Sequence, residues 1–196
     1  MGEKILDATK YLYGCLNLEK ELNLLYTMAT KKLPSPQSTI TTAIVFDNQK
    51  HVAVIKELLK PLSNIYFSPD ELSKEFKKSV CEISKLLNVL TMQDKIENEE
   101  ISELLKALTN IEDILHDFYA HFIESKLIEN YYNALPEASG LTGENLKYIL
   151  QTLKQDNLKH REMLIESLYF YRKSEQKNID TTPIVRYQNP DAWVHL

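Results

Sequence analysis

The chain has 196 residues, 43% of them apolar, and a formal net charge of −5. That length suits one domain with a substantial core better than two, and the acidic balance leaves no basic footprint for nucleic acid. The longest apolar runs fall well short of the ~20 residues that cross a bilayer, so no membrane partner is expected. Only four glycines, set among long stretches rich in Leu, Glu and Lys, argue against many short strands joined by tight turns, and the chain reads as all-α.

The first helix is expected over about Lys4 to Lys32, ending at LPSPQST, where two prolines within three residues cannot continue it. A second runs from about Thr39 to Leu59 and stops near Pro61. Ser68 is the expected N-cap of a third helix, about Asp70 to Met92, with Pro69 and acids in its first turn. ENEEISE supplies an acidic first turn, favourable against the helix dipole, to a long fourth helix reaching about Tyr132. NALPEASGLTGEN then breaks the chain before a last helix from Glu144 to about Lys173. From Glu175 onward no helical period remains, and Pro183, Pro190 and Trp193 suggest an extended strap whose aromatic anchor packs on the helices. Residues 1–174 therefore read as one domain and 175–196 as a tail. The opening segment lacks a basic stretch followed by an apolar core, and Cys15 and Cys81 form no CxxC, so a cytoplasmic chain without disulfides is expected.

Four stripes at helical spacing are interrupted by polar residues in a repeated way. Along the second helix the stripe is Ile44, Asn48, His51, Ile55, Leu58 and Leu62; along the last it is Leu146, Leu150, Leu153, Asn157, His160 and Leu164. Both sit in near-copies of one pentapeptide, DNQKH from Asp47 and DNLKH from Asp156, which put Asn and His on the buried side at the same relative position. The fourth helix reads Ile101, Leu105, Leu108, Glu112, Leu115, Tyr119 and Phe122, with one Glu seven residues before a Tyr. The first helix repeats this as Leu16, Glu19, Asn23 and Tyr26. Each of two helix pairs thus contributes one Glu from its first helix and one Asn-x-x-His from its second. An ionised carboxylate in an apolar seam is costly unless paired or coordinated, so two Glu and two His aimed at one region should either ligate a cation or pair with each other.

At these residues the sequence resembles the ferritin-like di-iron carboxylate proteins, including rubrerythrins, whose site takes a Glu from each of two helices and Glu-x-x-His from each of the other two. The resemblance implies a ferritin-like four-helix bundle built from helix pairs at 4–59 and 100–173, with a long crossover carrying an extra helix at about 70–92. It implies Glu19 and Glu112 as terminal carboxylate ligands and His51 and His160 as nitrogen ligands. Asp47 and Asp156 match acids that fix the imidazole tautomers from behind. Asn48 and Asn157 stand where that family has its two bridging glutamates, and an amide is a weak oxygen ligand that cannot bridge two metals. Two carboxylates remain, enough to balance one divalent ion such as iron, manganese or zinc.

The plainer reading of the same residues is a metal-free core in which each His pairs with a Glu, Asn48 and Asn157 bond to each other, and Tyr26 and Tyr119 pack with their hydroxyls on the carboxylates. His116 and His121 lie off the stripe, and Asp113 with His116 reads as a pair on a solvated face. No nucleophile pattern or phosphate loop stands out, and the absence of CxxC excludes a rubrerythrin-style electron relay within the chain. Two functions follow from these readings. One is a metal-binding protein serving metal or oxidative-stress homeostasis; the other is a metal-free bundle acting in interaction or structure, with a homodimer through its helices as the expected assembly.

Overall fold

The computed structural model describes residues 2–62, 69–135 and 140–180, with side chains over 5–62, 70–135 and 140–174. Among them the chain is all-α, in six α-helices: α1 (Gly2–Lys32), α2 (Gln37–Leu59), α3 (Lys74–Met92), α4 (Asn98–Glu124), α5 (Leu127–Tyr132) and α6 (Gly143–Asp180). Lys31 and Lys32 complement the dipole at the end of α1. Pro34 and Pro36 then force the turn into α2, across a cis Ser35–Pro36 bond.

The boundaries depart from the sequence expectation in three places, each for a local reason. A short 3₁₀ turn over Pro69–Glu71 precedes the third helix, whose N-cap is Ser73, its hydroxyl accepting from the Phe76 N–H at 3.5 Å. The expected cap Ser68 lies outside the described residues. The fourth helix opens with Glu97 and Glu100 bonded reciprocally in a capping box, and it ends at Glu124 rather than Tyr132. There Ser125 turns extended and its Oγ accepts from the Leu127 N–H at 3.2 Å, starting the separate α5. The last helix continues to Asp180, so the first residues assigned to the tail are helical; Trp193 and both tail prolines lie outside the described residues.

The long helices pair as α1 with α2 and α4 with α6, and the two pairs meet more sparsely. Contacts between side chains make α1 and α2 antiparallel, with Thr30 bonded to Thr41 at 2.9 Å, and likewise α4 and α6, with the Tyr171 hydroxyl on the Asn98 carbonyl at 3.0 Å. The predicted stripes form the core: Leu146, Leu150, Leu153 and Leu164 of α6 are buried, as are Ile101, Leu105, Leu108, Leu115, Tyr119 and Phe122 of α4. Leu62 is half-buried, since the α2 helix has already tightened into a 3₁₀ turn there. The α3 helix lies against α1, where Gly14 allows close approach: a Cβ there would come within 2.7 Å of the Phe76 ring. Tyr131 of α5 is fully buried and its hydroxyl donates to the Leu58 carbonyl, closing the other end of the core.

Candidate functional site

Amid this apolar packing the four long helices turn six polar side chains inward: Glu19 from α1, Asn48 and His51 from α2, Glu112 from α4, and Asn157 and His160 from α6. Five are fully buried and His160 is 1% exposed. The imidazoles of His51 and His160 stack, with ring centroids 5.8 Å apart and planes 24° from parallel. The helical stripes dictate this arrangement, because Asn and His three residues apart share one face of their helix and both Glu residues replace an apolar residue of theirs.

Around the stacked rings the bonding crosses between helix pairs. His51 Nδ1 lies 3.2 Å from Glu19 Oε1, while its Nε2 lies 3.4 Å from Asp156 of the opposite pair. His160 does the same in reverse: Nε2 is 3.3 Å from Asp47 and Nδ1 faces Glu112 Oε2 at 3.5 Å. The last contact permits charge attraction but lacks the alignment of a hydrogen bond. The tyrosines also cross, Tyr26 donating to Glu112 at 2.6 Å and Tyr119 to Glu19 at 2.8 Å. The sequence had set Glu19 beside Tyr26 and Glu112 beside Tyr119 at seven-residue spacing; two turns, ~10 Å, is too far for contact within one helix, and each hydroxyl instead reaches the other pair.

Lysines close the outer side, a role the motif reading missed. Lys50 bridges Asp47 at 2.9 Å and Asp156 at 3.0 Å, and Lys159 adds a contact to Asp156 at 3.2 Å. The only sequence signal was the repeated Lys of the pentapeptide, three residues after each Asp. His116 faces Asp117 at 3.4 Å, and Asp113 pairs with Arg161 at 2.6 Å, so the expected Asp113–His116 pair does not form. His121 is exposed.

Electrostatics follow from this network. Burial alone would depress the His51 pKa, but Glu19 and then Asp156 outweigh it and raise it to about 9. His160 is raised in the same way by Glu112 and Asp47, again against desolvation. Burial lifts the Glu112 carboxyl, with His160 and Tyr26 opposing. The His51 contact holds Asp156 well below the usual carboxylate range. Burial, reinforced by the adjacent carboxylates, pushes both tyrosine hydroxyls far above theirs, so they serve as neutral donors.

Several inward atoms have no hydrogen-bond partner: Glu19 Oε2, Glu112 Oε2, His160 Nδ1, and both amide atoms of Asn48 and of Asn157. The two amides do not bond to each other, contrary to the plainer sequence reading. Each orphaned buried polar atom costs ~1–3 kcal/mol, so their concentration at one place calls for a ligand or for water. The orphaned atoms are carboxylate and amide oxygens, one imidazole nitrogen and the two amide NH2 groups. The oxygens and the imidazole nitrogen make a donor set that fits iron, manganese or zinc, whereas the NH2 groups can only donate to an acceptor such as water. As the side chains stand, no three His, Cys, Asp or Glu residues among those described form a ready-made ion site, since each Nδ1 is turned onto a carboxylate. Comparison with protein-family models, curated proteins and solved structures finds no match.

Proposed function

We propose that this chain is a ferritin-like four-helix bundle, with α3 on its crossover, whose core cluster binds one divalent metal ion and serves metal or oxidative-stress homeostasis. The observation that carries this is the set of orphaned buried oxygens on Glu19, Glu112, Asn48 and Asn157 beside the stacked histidines. Glu19, Glu112, His51 and His160 would hold the ion, and either amide oxygen could add a weak contact. Asp47 and Asp156 orient the imidazoles through Nε2, leaving Nδ1 directed inward and more basic. Charge limits the count. Two carboxylates balance one divalent ion, whereas a second would leave two positive charges uncompensated in an apolar core. A bound ion would supply Lewis acidity or a redox centre; the protein contributes a buried setting, ligand side chains borne on helices and two neutral tyrosine donors.

A second reading is favoured by two other observations. Each His–Glu pair is already charge-balanced without metal, and Phe46, Tyr148, Tyr169 and Phe170 are 59–72% exposed on α2 and α6. On that reading the cluster is a vestigial ion-pair core and the chain associates through those aromatics, with itself as a homodimer or with another protein. Metal analysis of protein purified without chelator separates the two: close to one equivalent of iron, manganese or zinc per chain supports the first. Metal-free protein that also takes up none of the three on addition, and sediments as a dimer, supports the second.

A further inference from the structure

Away from the cluster, α3 and α4 run antiparallel along α1 and touch near both ends of α3. The start of α3 meets the later half of α4 where Phe76 stacks on Phe118 at 4.2 Å, and its end meets the start of α4 where the Gln93 amide donates to Glu100 at 2.7 Å. Their backbones otherwise pack far less closely than those of the paired helices. Two hollows open along this seam. One, of about 530 Å³, has Tyr11, Ile114 and Phe118 in its walls; the other, of about 520 Å³, has Leu86, Val89, Ile96 and Leu104. Ile83 of α3 and Ile111 of α4, both buried, fall between them, so the seam is a groove with a filled middle and an open hollow toward each end. Phe118 and Leu104, one in each hollow, stand ~21 Å apart along α4, nearly four helical turns.

The rims of this groove carry one sign of charge. Among the described residues, six carboxylates and one lysine, Lys78, line the two hollows. Glu75 lies in the first turn of α3, and Glu99 and Glu100 in that of α4, where the helix dipole favours an acid. Glu82, Glu103 and Asp117 stand in helix interiors, where neither dipole nor cap calls for one. Lys106 meets Glu103 at 2.5 Å, and the rims still hold six carboxylates to two lysines. Apolar walls beneath acidic rims match a ligand that is apolar on one side and basic at its edges.

We propose that the α3–α4 groove docks a basic amphipathic helix of a partner protein, which sets apolar side chains into both hollows and lays Lys or Arg against the rims. A helix suits the spacing, because one face of it returns to the same line every three to four residues and so reaches both hollows without leaving the groove. A second copy of this chain fits less well, since it brings a net charge of −5 to rims that are already acidic. The groove is distinct from the exposed aromatics of α2 and α6, and the proposal rests on neither reading of the core cluster.

The probe is a labelled Leu/Lys peptide of about 18 residues, ~27 Å long as a helix, with a Leu/Glu counterpart, followed by fluorescence anisotropy on the full chain. Glu103→Lys with Asp117→Lys reverses one exposed acid at each hollow. Glu162→Lys with Glu166→Lys makes the same change of net charge at exposed positions of α6 and is the control. We expect saturable binding of the Leu/Lys peptide only, weakened about tenfold or more by the groove pair and less than about twofold by the control pair. Amide shifts induced in the parent by the peptide, which need no variant, should cluster on α3 and α4 beside the two hollows. Equal weakening by both pairs would reduce the binding to general charge attraction and overturn the groove. Shifts centred on Phe46, Tyr148 and Phe170, or no saturable binding, would overturn it too. A parent dimer that the groove pair dissociates would assign the groove to a second copy and overturn the partner helix.

Discussion

Each buried carboxylate of the cluster meets an imidazole on one side and a tyrosine hydroxyl on the other, and each imidazole is held from behind by an aspartate of the opposite helix pair. His51 therefore holds its proton more tightly folded than unfolded, with a pKa raised from 6.5 to about 9. A raised pKa gives stabilisation that is complete below the unfolded value and lost as pH climbs through the folded one. In chelator, the unfolding free energy should drop between those pH values by up to about 3 kcal/mol, with His160 adding to the slope. Urea unfolding of His51→Gln at several pH values should show a flatter profile, and a slope identical to the parent's would contradict the ion pairing. The Asn positions carry a second expectation. Replacing Asn48 and Asn157 together with Glu supplies two further carboxylates three residues before each His, at ~1–3 kcal/mol of overpacking in the metal-free core. Loaded with ferrous iron without oxygen, the double variant should bind two irons per chain and melt higher than its apo form. A folded variant that takes up no more iron than the parent would favour the interaction reading. The inward residues themselves were legible in the sequence because polar interruptions of an apolar stripe stand out at helical spacing. The kinds of partner were legible too, a Glu and an Asp for each imidazole and a tyrosine hydroxyl for each carboxylate; which helix pair supplies each, and the Lys50 bridge, were not, since Tyr26–Glu112, His51–Asp156 and Lys50–Asp156 join residues at least 86 positions apart.

Helix ends illustrate the same division. Prolines at 34 and 36 stop α1 whatever surrounds them, so that boundary was readable. The break at Ser125 was not, because apolar positions continue through Leu127, Ile128 and Tyr131 as if the helix did, and one hydroxyl-to-backbone bond decides otherwise. The extra turns of α6 past Lys173 were missed for the opposite reason: the helix persists where its sequence carries no apolar stripe. The contact of α3 with α1 turns on Gly14. The Phe76 ring facing it is stacked on Phe118 at 4.2 Å and met edge-on by Tyr11 at 5.0 Å, which leaves it no room to swing aside. Gly14→Ala would gain ~1 kcal/mol of helix propensity and lose ~1–3 kcal/mol to overpacking. We expect a lower melting temperature, and a higher one would contradict the close approach.

At the scale of the whole molecule, two similar helix pairs face each other across a polar centre that is charge-balanced but not fully hydrogen-bonded. The pairing of His51 and His160 with Glu19 and Glu112 accounts for the balance, while the orphaned oxygens are the acceptors that the proposed cation would occupy. No helix among the described residues is long and apolar enough to cross a membrane. Titration of chelator-stripped protein with ferrous iron under anaerobic conditions, followed to saturation, tests the central claim most directly. The account predicts saturation at one ion per chain, with uptake abolished when His51 and His160 are both replaced by Ala in a variant whose helical content is unchanged. Saturation at two ions, no uptake, or uptake that survives loss of both histidines would contradict it.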